Sequence, residues 1–458
     1  TSNIGELMII LGTNSIKDTG YNVANSVRLN GGDSAKFNID HSGAGNRNLW
    51  TFSMWIKRSG LGAEEPLFNS RPNDNFETFC GFGANDTLVF KQKNDGSTTG
   101  EYVTNRVFRD VSAWYNLIFV YDKDNGTAGN RGRIYVNGVE ETSFATENNF
   151  SDSSTWNSTN TCNIGNSQSA YFDGYMAELV FIDGQALTPT SFGEFDSDSG
   201  IWKPINVSGL TPGTNGFYLD FEASANLGNN AFSSGSADWT ETNITAVDQS
   251  IDSCTNNFAT LNPLAKLTGA VTLTEGNLKA AGDNSANHNW QTTFVVSSGK
   301  WYWELKDLTS SPDGSLLFYD QSIISGSHPG YGFVLNTRKK VINNSTSGSA
   351  IGSSAQNDIW SMALDLDNGK MFIARNGTYL ESGDPANGTN PFIQTSDGLP
   401  SEGVFGGHVY NGSMQLNFGS PSFAISSGNT DGDGFGNFEF AVPSGFFSLC
   451  TKNLAEYG

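Results

Sequence analysis

Charge is what this chain has least of. Only 16% of its 458 residues are charged, and 25 Lys and Arg face 47 Asp and Glu, for a net charge of −22 at pH 7. So few cations exclude nucleic acid as a partner, because its binding is mostly neutralisation of phosphates, and docking on anionic lipid, which needs basic clusters. Long apolar runs are missing too. No stretch approaches the ~20 residues of a membrane-spanning helix, so membrane insertion is not expected; Leu7 to Leu11 is too short even for a secretory core. Heptads, collagen triplets and short β-helix periods are absent, which excludes a fibrous shaft within these residues. The four cysteines, Cys80, Cys162, Cys254 and Cys450, are widely spaced and form no CxxC pair. They read as reduced thiols rather than a disulfide framework. The four histidines, His41, His288, His328 and His408, show no HxxEH or H-x-E spacing, and no Gly-x-Ser-x-Gly elbow occurs.

What is present is β-forming. Fifty-three glycines, many Asn, Ser and Thr, and 12% aromatics in a 37% hydrophobic chain predict many turns around packed sheets. The length suggests about two to three domains. Met362, Leu364 and Leu366 alternate with Ala363, Asp365 and Asp367, Asn368-Gly369 follows as a type I′ hairpin signal, and Lys370 to Arg375 returns to a second turn pair, Asn376-Gly377. The same pattern is written earlier, from Leu117 to Tyr121 and from Arg133 to Asn137-Gly138. Strands Trp50 to Lys57 and Gly299 to Leu305 place Trp50, Phe52, Met54 and Ile56, and Trp301, Trp303 and Leu305, on single core-facing sides. One short helix is expected after Leu187, with Thr188 as cap and Pro189 in its first position.

Two stretches resemble known families. NSVRLNGGDSAKFNI, WTFSMWIKRS, WYNLIFVYD, RIYVNG and FDGYMAELVFIDGQALT resemble a laminin-G-like, concanavalin-A-type jelly roll. SGKWYWELKDL, PGYGFVLN, WSMALDLDNGKMFIARNG and LNFGSPSF resemble a SPRY domain. The expected architecture is all-β: two concanavalin-A-like antiparallel β-sandwich (jelly-roll) domains in series. Residues 1–20 are an arm, 21–200 the laminin-G-like jelly roll, 201–268 a Gly/Ser/Asn-rich connector, 269–426 the SPRY-like sandwich and 427–458 a tail.

Three carboxylates on one strand, as in E-x-D-x-E, would point to a retaining glucanase. Glu194 to Asp198 is the nearest approach and lacks the closing Glu, so the chain reads as non-catalytic. Asn429, Asp431 and Asp433, with interleaved glycines, imitate the oxygen ligands of a calcium loop, although the bland reading is a Gly/Asp turn. Trp156, Tyr171 and Tyr410 sit in polar loops, where an aromatic can stack on a pyranose face and neighbouring amides can hydrogen-bond its hydroxyls. The bland reading there is a loop packed down by its own aromatic. No cofactor is expected beyond that candidate calcium.

The pairing of the two modules, joined by DSCTNNFATLNPLA and ending SGFFSLCTKNLAEYG, resembles structural proteins of tailed bacteriophages, especially marine ones. The resemblance implies a virion component assembled in the bacterial cytoplasm: a tail-fibre or receptor-binding protein engaging host surface polysaccharide. Its partners would be other virion proteins, in a homotrimer. A capsid, collar or tail decoration protein and a glycan-degrading enzyme are the alternatives.

Overall fold

Period-two apolar spacing gives each strand an inner and an outer face, and a computed structural model places those faces in two separate units. The structure describes residues 20–265, 271–310, 313–320 and 328–458. The expected arm, apart from Gly20, lies outside the described residues. The first unit spans Thr19–Thr255; the second holds the described residues from Asn256 onward.

In the first unit two eight-stranded antiparallel sheets face one another. Leu49–Arg58 and Gly174–Asp183 pair at the centre of one; Glu65–Asn73, Phe76–Phe82 and Thr87–Asn94 are consecutive in the other. Trp50, Phe52, Met54 and Ile56 all enter the core between them, as their alternation predicts. The opposite side of the first sheet is covered as well. Ile118, Val120, Val180 and Ile182 pack under Phe192, Val207, Tyr218 and Phe232, so strand Gly174–Asp183 is buried on both faces. The cover comes largely from the segment expected as a connector. Phe217–Leu219 pairs with Gly174–Asp183, Thr240–Thr242 with Lys36–Ile39, and Gln249–Ser250 with Ser26–Leu29. Residues 201–255 are thus part of the first unit; their polar composition reflects short strands between turns. The helical signal at Thr188-Pro189 becomes a single 3-10 turn, Pro189–Ser191.

The second unit is built on one strongly bent antiparallel sheet. Two long strands, Lys279–Val296 and Gly403–Asn417, pair along most of their length. On its other edge, Gly403–Asn417 first pairs with Ser315–Tyr319, through residues 404–406, and then with Lys300–Asp307, through residues 414–417. The sheet therefore forks between those two contacts, and its halves close over a core holding Trp290, Trp301, Trp303, Trp360 and Phe405.

Both hairpins that mark the sequence are formed. Asn137-Gly138 and Asn376-Gly377 have positive φ at both positions, and the flanking pairs Val136↔Val139 and Arg375↔Thr378 leave two-residue loops. Each Asn also pairs with the next strand: Asn137 with the backbone of Asn116 and Asn376 with that of Ile359. Asn368-Gly369 differs from expectation. The pair Asp365↔Lys370 leaves four residues in that loop, and only Gly369 of the two takes a positive φ. The Asp365 carboxylate sets it, accepting from Asn368 N and Nδ2 while pairing with Lys300.

Residues 427–458, expected as a tail, are packed into the second unit. The buried Glu304 accepts from Tyr302 Oη, Phe440 N, Glu439 N and Asn417 Nδ2. The chain ends in the α-helix Thr451–Tyr457, with Tyr457 stacked on Phe447 at 3.8 Å.

Candidate functional site

The fork in the second sheet has a chemical consequence: between its two partner strands the edge of Gly403–Asn417 is held by the Gly314–Val409 bridge and the Tyr410 N to Asp313 O hydrogen bond, and an opening lies beside them. Strand Gly403–Asn417 carries Gly406-Gly407, which lets Trp290 and Tyr319 close in; a Cβ at Gly407 would lie 2.2 Å from Ser315 O. Just beyond, Gly412 (φ +92) redirects the strand, where Thr309 Oγ1 accepts from Ser413 N. On the facing strand the pairing breaks between Asp283 and His288. Asp283 Oδ1 organises that bulge, accepting from Ser285 N and Oγ and contacting His288 Nε2 at 2.7 Å. Hydrogen bonds from Ser285, and then His288, pull the Asp283 pKa down to about 2.

A cavity of about 330 Å³ opens at this fork, lined by Asn287, Asp313, His328, Asn336, Thr337, His408 and Tyr410. Its volume lies in the range of small-ligand sites. His408 forms part of the wall. Ser315 Oγ accepts from the His408 backbone N–H at 3.0 Å and lies 2.7 Å from Nδ1. Burial, and secondarily His328, lowers the His408 pKa to about 3; burial also lowers that of His328. The two Nδ1 atoms stand 3.4 Å apart. Opposite them, Asp313 Oδ1 accepts from Asn336 Nδ2 at 2.7 Å and Asp313 O accepts from Tyr410 N. The cavity thus offers one half-buried aromatic, a carboxylate, two amides, a hydroxyl and two neutral imidazoles.

Of the aromatics singled out by sequence, Tyr410 belongs to this cavity. Tyr171 is half-buried in the short hairpin Asn166–Ser167/Ala170–Tyr171 of the first unit. Trp156 is a correction: it is 1% exposed and lies in the first unit's core, stacked on Phe52 and Trp239. The polar letters around it turn inward. Thr155 N donates to Thr78 Oγ1, Thr155 Oγ1 to Ser70 O, and Ser154 Oγ to Trp156 O.

The calcium reading is also corrected. Asp431 Oδ1 accepts from Asp433 N and Phe435 N; Oδ2 accepts from Ser448 N, Ser448 Oγ and Asn453 Nδ2. Five protein donors fill the lone pairs a cation would need. Asn429 Nδ2 donates to Ser427 Oγ and Glu439 O, and Asp433 Oδ2 accepts from Tyr457 Oη. The loop fastens the C-terminal segment. The histidines, Asp313 and the fork were not legible in the sequence, because they converge from strands about a hundred residues apart.

Comparison with known proteins agrees with the fold. Residues 29–191 match the laminin G family described as the Concanavalin A-like lectin/glucanases superfamily. No curated protein sequence matches. Among solved structures, the SPRY domain of human HERC1 aligns at 11% identity, covering 34% of this chain and 96% of that one, with a TM-score of 0.29. A heptameric SAP-like pentraxin from Limulus polyphemus aligns at 18% identity over 37% and 80%, with a TM-score of 0.29. A putative carbohydrate binding protein from Bacteroides ovatus aligns at 14% identity over 49% and 60%, with a TM-score of 0.34. All three scores are below 0.5, and none bears on what this chain binds.

Proposed function

We propose that this chain is a non-catalytic, glycan-binding virion surface protein of a tailed phage, and that the cavity beside Tyr410 holds a sugar unit of the host surface. The observation that carries the glycan reading is that cavity: an aromatic beside a ring of hydroxyl-matching acceptors and donors, in a volume that fits one pyranose. The placement in a virion, as a tail-fibre or receptor-binding component beside other virion proteins in a homotrimer, is supported by the resemblance of the paired modules.

The non-catalytic reading is supported by how the acidic residues are used. Asp183 accepts from Asn46 N, Asn157 Nδ2 and Asn215 N, and Asp196 is held in a turn by Ser199 and Lys203.

One pyranose of about a dozen heavy atoms, at roughly 0.3 kcal/mol per atom, gives a Kd on the order of 1 mM. Host attachment at that affinity requires several sites acting together. Calorimetry with host surface polysaccharide and its oligosaccharides should show millimolar binding, weakened at least about tenfold by Tyr410→Ala. Absence of binding across susceptible hosts removes the glycan reading; release of reducing sugar removes the non-catalytic one. Antibody labelling of intact particles locates the chain, and label on the capsid shell would favour a decoration protein.

A further inference from the structure

The same cavity also carries information about which glycans it accepts, an inference that rests on the glycan reading above. Its lining holds one carboxylate, Asp313, and no cation among the described residues. Arg338 and Lys339 follow Thr337 in sequence but are not part of the lining. The two histidines do not substitute for a cation at neutral pH. His408 is buried, lies 2.7 Å from Ser315 Oγ and faces the half-buried ring of His328 at 4.7 Å between centroids, and burial disfavours a charge on either imidazole. Asp313 is anchored through Oδ1 by Asn336, which leaves Oδ2 as the acceptor for a ligand hydroxyl. A carboxylate, sulfate or phosphate brought into this space would meet Asp313 with no counter-charge, and burying an unpaired anion beside another is costly.

We infer that the cavity selects uncharged pyranose units, neutral hexoses or N-acetylhexosamines, and excludes anionic sugars, with Asp313 as the excluding group. A glycan coat rich in uronic acid or sulfate is a poor ligand; one with neutral side branches is a good one. The whole chain's charge of −22 works in the same direction at long range, but salt separates the two effects. Beyond the Debye length, ~8 Å at 0.15 M and ~3 Å at 1 M, the net charge is screened, whereas a half-buried group in direct contact with the ligand is screened much less.

The test uses the full chain at pH 7 against three oligosaccharide sets of equal length: neutral hexose, N-acetylhexosamine and uronic acid. Binding is measured by calorimetry at 0.15 M and 1 M NaCl. Neutral or N-acetylated sugars should bind at least tenfold more tightly than uronic acids at both salt concentrations. Asp313→Asn should reduce that ratio at least tenfold, its folding checked by thermal melting. Tyr410-dependent binding of uronic acids as tight as that of neutral sugars overturns the selectivity while leaving the glycan reading intact. A preference that disappears at 1 M NaCl overturns the role of Asp313 and assigns the effect to net charge. No binding of any set removes the glycan reading and this inference with it.

Discussion

Glu178 is a carboxylate buried within a strand of the first unit. It sits at the bulge of strand Gly174–Asp183 with φ +49, and its carboxyl is buried beside Tyr218 Oη at 2.8 Å. Burial, assisted by Asp220 and Glu222, raises its pKa from 4.5 to about 7. The folded carboxyl therefore holds its proton more tightly than the unfolded one. Its contribution to stability is full below about pH 4.5 and is lost as pH rises through about 7. At about 1.4 kcal/mol per pKa unit this is on the order of 3 kcal/mol. Urea unfolding at pH 5 and pH 8 should show that loss in the native chain and a flatter profile in Glu178→Gln; identical profiles would refute the assignment. Trp156 gives a second test at this scale. A core aromatic replaced by Ala costs about 3–5 kcal/mol, so Trp156→Ala should lower the melting temperature of the first unit sharply, where an exposed sugar-stacking residue would leave it unchanged.

At the scale of elements, turns and fasteners decide the outcome. Gly138 (φ +77) lies under Trp202, and a Cβ there would come within 2.3 Å of the indole. Gly138→Ala should destabilise by at least about 1–2 kcal/mol from the backbone alone, measured by chemical denaturation. The loop around Asp431 makes a different prediction. Asp431→Ala leaves the buried Ser448 N–H unmatched, at about 1–3 kcal/mol, so hydrogen exchange across Ser448 to Tyr457 should accelerate. Chelation of calcium should leave the melting temperature of the native chain unchanged. These elements also show what could be read in advance. The period-two strands, the Asn137-Gly138 and Asn376-Gly377 turns and the core faces of Trp50 and Trp301 follow from local spacing and form as expected, whereas Asn368-Gly369 sits in a four-residue loop. Polar neighbours look alike in sequence whether they face water or donate inward, so Trp156 and Asp431 each carry a binding and a packing reading there, and the structure agrees with the packing one. Tyr410 was found as an isolated aromatic; His408, His328 and Asp313 could not be, since only the fork of a bent sheet brings them together.

For the whole molecule, the boundary between the units falls near residue 255, inside the segment 201–268 expected as a connector. The segment after 200 supplies edge strands to both sheets of the first unit and covers the outer face of one. A fragment of residues 20–255 should fold cooperatively, whereas one ending at 200 exposes Ile118, Val120, Val180 and Ile182 and should aggregate. The function assigned to the second unit depends on a site that none of the fold's regular features requires. Calorimetric titration of the intact chain with neutral host-surface oligosaccharide, beside Tyr410→Ala, tests that assignment most directly. Saturable millimolar binding that weakens at least about tenfold in the variant is the predicted result; equal binding by both proteins, or none by either, contradicts it.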